Sequence, residues 1–481
     1  MKKIILSIIS FALTAGISAS AQDLSGNEQA SNQAMLEEIQ KRLDASGNPY
    51  GVRVESHSLE PVEPLENPSV ATDSTGNYGK GILKAALLDL DMHKYIITYM
   101  SFDGKRDSIR VSAAVYFKKD YYYESMLLAC HPTVTSTFEA PTGGGPVDGD
   151  IKRICDEGFL VVCPDYCGYG ITAYRQHPYL IHDVTARNCI DGCMAALDFA
   201  KNGLGKYPND EDWFDTSIVG YSQGGATALA CHKYLESDIC PSKVKETLNL
   251  FETCCGDGPY STIATVNQYI KWGQEGKGLE YPCVLPLIVA AAKEAYGDGC
   301  MRTVEVEDYF TEKFLATGII DMLKNKNLTT TDLNLEISKR MTRVLPIDIF
   351  SDKIILPDGS FNTETNEYKC LMRAMETNEL ASGWVPQNDI IFYHLPGDGV
   401  VPYANLQAVK EGIMKDNPHV EEVTPKEAHA ISIDRISQFL AQLNKGLLSP
   451  DYNTISHAKG GVLFYIDYLF GAFLRYQDDD D

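Results

Sequence analysis

Hydrophobic positions along this chain fall into two rhythms. Residues 94–102 and 109–117 are β-rich runs separated by Asp103-Gly104-Lys105, the turn chemistry of a hairpin. Beyond them, short apolar runs alternate with longer segments of helical spacing. Residues 126–130, 159–163 and 216–219 read as strands with no polar face, and 150–156, 183–202 and 226–235 read as helices. Strands that are apolar on both sides, each followed by a helix, imply a mostly parallel sheet with helices on both faces. The rhythm stops after Gly258. From there to Trp384 the pattern is helical and irregular; residues 388–395 and 420–423 then return to strand and 431–443 to helix. This predicts one α/β core built from residues 91–258 and 385–470, interrupted by an inserted cap over 259–384. No internal repeat is present.

The segment ahead of the core differs in composition. Residues 22–90 are rich in Ser, Asn, Glu and Pro, with one amphipathic helix over 35–43, and are expected to form a loosely attached arm. Lys2 and Lys3, an apolar run over 4–17 and Ala19-Ser20-Ala21 make residues 1–21 a secretory signal peptide cut after Ala21, so the protein is expected to be exported to the periplasm or secreted. No later stretch is long and apolar enough to span a bilayer, so stable membrane insertion is not expected.

The formal charge is -24, and removing the two lysines of the leader takes it from -24 to -26. Such a surface repels nucleic acid and anionic membranes, which excludes both as expected partners. Thirteen cysteines between Cys130 and Cys370 are an odd number for an exported chain. No CxxC pair or Cys/His spacing typical of zinc occurs, so buried thiols with one or two disulfides at most are expected. The sequence leaves the oligomeric state open.

The chemistry concentrates at Gly220-Tyr221-Ser222-Gln223-Gly224, a G-x-S-x-G pattern. Alone the pattern is weak, but here it joins an apolar strand to an alanine-rich helix, the context of a nucleophile elbow. The sharp turn at the serine requires small residues two positions either side, and the free N–H groups of the following helix favour negative charge at its oxygen. A serine hydroxyl needs a histidine to take its proton and a buried carboxylate to orient that histidine. After such an elbow the chain order is acid, then histidine. Asp398 follows the strand ending near Leu395, at the carboxyl end of the sheet, and is the expected acid. His429, on the loop between the 420–423 strand and the 431–443 helix, is the expected base; His419 lies at the wrong end of its strand and His457 beyond the helix. His394 is expected to anchor the acid loop. One oxyanion donor is expected to be the backbone N–H of Gln223. The second comes either from the loop His131-Pro132-Thr133, where Thr133 can donate and Pro132 cannot, or from Asp165-Tyr166-Cys167-Gly168.

Several segments together resemble the secretory lipase family of α/β-hydrolases, fungal-type secreted lipases with a helical cap. The similar stretches are Phe159 to Tyr166 with Gly168, Gly220 to Gly225, Gly256-Asp257-Gly258-Pro259-Tyr260, His394 to Pro402, and Glu427-Ala428-His429. The resemblance implies an α/β-hydrolase fold with an inserted helical cap. It implies a lipase or carboxylesterase that cleaves small-molecule or lipid esters without metal or cofactor. It assigns Ser222, Asp398 and His429 the roles given above and adds Asp165 as a contributor to the oxyanion hole beside Thr133. An esterase that deacylates glycans and a serine peptidase on the same fold are the alternatives; an intact triad in the right order speaks against a catalytically dead binding protein. The cap is expected to stand over Ser222 and to select the acyl chain, with positions such as Leu287 and Ala290 setting its length.

Overall fold

Nine strands form one mixed sheet in the order β1-β2-β3-β5-β4-β6-β7-β8-β9. The computed structural model describes residues 26–61, 91–118, 123, 125–144, 159–205, 213–428 and 452–471. The strands are β1 (Arg53–Pro61), β2 (Asp91–Phe102), β3 (Ser108–Lys118), β4 (Ser125–Cys130), β5 (Phe159–Pro164), β6 (Phe214–Tyr221), β7 (Leu248–Gly256), β8 (Asp389–Tyr393) and β9 (Val420–Glu422). The first three are antiparallel to their neighbours, and β5 to β9 run parallel. The hairpin expected around Asp103-Gly104 is therefore β2–β3.

The fully apolar strands divide their side chains between two layers, as a period of two requires. Met126, Leu128 and Cys130 of β4 face one hydrophobic core with Leu160, Val162 and Ile218. Leu127, Ala129, Val161, Cys163 and Val219 face the other. On the first face lie α1 (Gly26–Ala45), α2 (His182–Asp198) and α3 (Gln223–Glu236), whose apolar stripes complete the larger core.

Between β7 and β8 the chain contributes helices and no strand of this sheet. The longer ones are α4 (Thr262–Gln274), α5 (Val284–Tyr296), α6 (Thr330–Arg340) and α7 (Asn366–Thr377). Two ties fasten this segment to loops of the sheet. The Glu139 carboxylate accepts from the Thr330 N–H at the start of α6 (3.0 Å) and from the N–H groups of Thr135 and Ser136. The buried Lys326 ammonium donates to the carbonyls of Gly168 (2.5 Å), Ala173 (3.0 Å) and Arg175 (2.6 Å). The last elements are α8 (Ala404–Glu411) and α9 (His457–Gly471).

The amino-terminal segment differs from the loose arm expected of it. Leu36, Ile39 and Leu43 of α1 are buried in the main core, and β1 pairs along β2 as the edge of the sheet. Three apolar residues spaced i, i+3, i+7 suffice to dock a helix whose remaining faces are polar. The signal peptide, the 150–156 helix and the 431–443 helix lie outside the described residues. The twelve described cysteines are buried except for Cys300. None of the described helices is long and apolar enough to cross a membrane.

Candidate functional site

The parallel strands deliver their loops to one edge. Tyr221, Gly256 and Tyr393, the last residues of β6, β7 and β8, lie side by side in register. The residue after each is held by its neighbour: Ser222 N–H donates to Gly256 O (2.8 Å) and Asp257 N–H to Tyr393 O (2.9 Å). This is the carboxyl edge, where open α/β sheets place their ligands.

Ser222 stands between β6 and α3 at φ 59°, ψ −125°, a conformation that costs an L-residue energy and persists only where its surroundings impose it. The imposition is steric. A Cβ at Gly220 would lie 2.1 Å from the Gly224 carbonyl oxygen, and one at Gly224 would lie 2.1 Å from the Cys130 carbonyl oxygen. The strand, turn and helix thus close on each other with no room for side chains, which aims the serine outward.

Asp398 sits on the loop after β8. Its Oδ1 accepts from the N–H groups of Val400 (2.7 Å) and Val401 (2.9 Å), and His394 Nε2–H donates to the Val401 carbonyl (3.1 Å), so His394 does anchor this loop. The remaining oxygen, Oδ2, accepts from His457 Nδ1–H at 2.5 Å, and His457 Nε2 lies 2.8 Å from Ser222 Oγ. Ser222, His457 and Asp398 are all buried.

The histidine here is His457, the first residue of α9, where the sequence had pointed to His429. His429 itself lies outside the described residues. The correction has a packing cause. Gly460 and Gly461, three and four positions after His457 and so on the same helix face, let α9 lie directly on Tyr221: a Cβ at Gly460 would meet the Tyr221 hydroxyl at 2.5 Å. Phe464 continues the contact against Tyr221 and Tyr393. The His-Ala-Lys-Gly-Gly run was the available signal; the place of His457 beyond the 431–443 helix had weighed against it.

The charges are mutually adjusted. Burial disfavours a charged His457 ring, but the Asp398 carboxylate on Nδ1, with Glu280 further off, raises its pKa above the ordinary imidazole value. Burial works against the Asp398 charge as well, and His457 with the two backbone N–H groups nevertheless holds its pKa below the usual carboxylate value. Glu280 and Tyr281, between α4 and α5, reach this centre: the Tyr281 ring meets His457 edge-on at 6.1 Å, and a Cβ on Gly399 would touch the Glu280 carboxylate.

Of the expected oxyanion donors, Gln223 opens α3 and its N–H has no acceptor among the described residues. Its side-chain amide donates to His177 Nε2 (2.7 Å), and His177 Nδ1–H donates in turn to Cys167 O (2.8 Å), which pins the residue behind Ser222. Thr133 lies on the loop after β4. Its hydroxyl pairs with Tyr179 (3.0 Å) and its carbonyl accepts from Thr330 (3.2 Å), leaving its N–H without an acceptor among the described residues. Asp165 is differently placed. Its N–H is committed to the Ser112 carbonyl (3.0 Å), and its carboxyl, pushed up to about 6 by burial, is gripped by Ser112 Oγ (2.5 Å) and Thr142 Oγ1 (2.6 Å). Asp165 therefore supports loops and has no free donor for an oxyanion, contrary to the expectation.

Comparison with solved structures places this architecture. The rice cell wall degrading esterase LipA from Xanthomonas oryzae superposes with a TM-score of 0.58 at 18% identity, over 81% of this chain and 91% of that one. A putative hydrolase from Legionella pneumophila superposes with a TM-score of 0.55 at 18% identity, over 80% and 90%. The fold is that of the α/β-hydrolases. No family model matches the sequence, and no curated protein does.

Proposed function

We propose that the chain is an exported serine hydrolase that cleaves carboxylic esters through an acyl-enzyme, with Ser222 as nucleophile, His457 as general base and Asp398 as the acid that orients it. One observation carries the reading: the unbroken line from Asp398 Oδ2 through His457 to Ser222 Oγ, at 2.5 Å and 2.8 Å. Ser222 Oγ attacks the ester carbonyl while its proton passes to His457 Nε2. The imidazolium, stabilised by Asp398, then gives that proton to the departing alkoxide, which leaves as an alcohol. A water molecule, deprotonated by the same ring, attacks the acyl-serine; the acyl–Oγ bond then breaks, His457 returns the proton to Ser222 Oγ, and the carboxylic acid leaves. The N–H groups of Gln223 and Thr133 are the proposed donors to the oxyanion of both tetrahedral intermediates. No step calls for a metal or a cofactor.

Glu280 and Tyr281 bring the inserted helical segment against the base, which supports reading residues 259–384 as a cap that borders the substrate. Glycan deacylation is the second reading. LipA, which shares the fold, is described as a cell wall degrading esterase, so a polymer-bound ester is a reasonable substrate class to set beside lipid esters. The experiment is twofold. A fluorophosphonate probe should label the protein and fail to label Ser222→Ala, and chromogenic esters from acetate to palmitate should be compared with acetylated glycans and dipeptide amides. Labelling that persists in folded Ser222→Ala overturns the nucleophile; turnover confined to amides overturns the ester reading.

A further inference from the structure

A second buried carboxyl stands beside the proposed triad and takes no part in the mechanism above. Asp257 follows β7 in the left-handed conformation (φ 38°), and a carboxylate oxygen of Asp257, one of Asp398 and a ring nitrogen of His457 lie within 4.8 Å of one another. Asp257 Oδ1 accepts from the Leu395 N–H at 2.6 Å, and Oδ2 lies 2.6 Å from the Tyr221 hydroxyl. That hydroxyl also lies 2.8 Å from the His457 carbonyl oxygen.

The proton count at Tyr221 is the decisive feature. A tyrosine hydroxyl has one proton, and a backbone carbonyl can only accept. If Asp257 is ionised, two acceptors compete for that proton and one oxygen pair is left facing without a hydrogen. If Asp257 carries a proton on Oδ2, every position is filled: Asp257 donates to Tyr221, and Tyr221 donates to His457 O. We infer that Asp257 is a protonated positioning residue, which through Tyr221 holds the main chain of the general base in place.

The surroundings agree. The groups facing Asp257 are Tyr221 from β6, His394 and Asp398 from the loop after β8, His457 from α9, and Tyr260 from its own loop. Burial pushes the Asp257 carboxyl up to about 6 even against the attraction of positively charged His394 and His457 rings. With the His457 ring neutral, as a resting general base must be, its share of that attraction is gone and the neighbouring Asp398 charge favours the proton further. Asp398 has two backbone N–H groups and the imidazole at 2.5 Å to support its charge, whereas Asp257 has one N–H, a shared hydroxyl and the His394 Nε2 only at 3.5 Å. Of two close carboxyls, Asp257 is the one that keeps the proton.

This inference rests on the triad reading, and its test separates the two. Asp257→Asn reproduces a neutral group that donates to Tyr221 and accepts from Leu395; Asp257→Ala and Tyr221→Phe do not. The two latter variants should lose about tenfold or more in kcat with a smaller change in KM, since a slightly displaced base is costly. Asp257→Asn should recover most of that loss. Raising the pH ionises Asp257, turns the Tyr221 proton toward it and releases the His457 carbonyl. The wild type should therefore lose rate on the alkaline side, and Asp257→Asn should not. Infrared difference spectra of wild type against Asp257→Asn at neutral pH should contain a protonated-carboxyl C=O band, a readout independent of turnover. Asp257→Asn no better than Asp257→Ala, full kcat in Asp257→Ala, or absence of that band overturns the inference. So does an acid limb displaced downward in Asp257→Asn, because it would show that Asp257 serves as an anion. Fluorophosphonate labelling that survives Ser222→Ala would instead overturn the triad.

Discussion

Replacing His457 by alanine removes the one group that contacts both Ser222 and Asp398. In the proposed mechanism the wild-type serine hands its proton across 2.8 Å to Nε2; in His457→Ala no described side chain takes over that contact, and Asp398 is left buried with one oxygen unpaired. Loss of the base in a triad costs on the order of 10⁶ in kcat. At 1.36 kcal/mol per tenfold, that is about 8 kcal/mol of transition-state stabilisation. Combining it with Ser222→Ala should add almost nothing, because the two act as a unit. His429→Ala should stay within about an order of magnitude of wild type, a loss of about 1.4 kcal/mol at most. The assay is hydrolysis of a short chromogenic ester by purified protein, with circular dichroism to establish folding. The pH profile supplies a second measure. Protonated His457 cannot accept the serine proton, so the rate should rise with pH through the pKa of the ring. Because Asp398 raises that pKa, the acid limb should have its midpoint above the ordinary imidazole value of about 6.5. Asp398→Asn should move the limb downward and lower the plateau. A His457→Ala protein that turns over normally, with activity lost in His429→Ala, would refute the assignment.

Two further outcomes follow from the packing. Gly224→Ala should cost about 3 kcal/mol or more and abolish fluorophosphonate labelling, since its Cβ would lie 2.1 Å from the Cys130 carbonyl oxygen and the backbone must move; urea unfolding measures the loss, and a stable, labelled variant would contradict the geometry of the elbow. Glu139→Ala should lower stability by about 2–4 kcal/mol by stranding the N–H groups of Thr135, Ser136 and Thr330, with early proteolysis within residues 259–384; unchanged thermal unfolding would show that the tie contributes nothing.

The parts legible in the sequence were those fixed locally. β4 and β5 had to be central strands because neither has a polar face, and Ser222 had to be an elbow because glycines bracket it between a strand and a helix. Asp398 was legible for the same reason, as the carboxylate on the turn directly after β8. His457 was not, because its place depends on which distant surface Gly460 and Gly461 can approach, and nothing near His457 in sequence names Tyr221 as that surface. The docking of α1 was hidden by composition, three apolar contacts being diluted among polar residues. Asp165 was misplaced because a backbone donor can be judged only once its competing acceptor, the Ser112 carbonyl, is located.

The position of His457 at the head of α9 also bears on synthesis. It lies 59 residues beyond Asp398 and 235 beyond Ser222, so a chain growing from its amino end acquires nucleophile and acid long before base. Until the Gly460-Gly461 face settles on Tyr221, the nascent sheet holds a serine with no group to take its proton. If Ser222, Asp398 and His457 act as proposed, a chain cut short before residue 457 lacks the group that takes the serine proton and should be inactive even with its elbow formed.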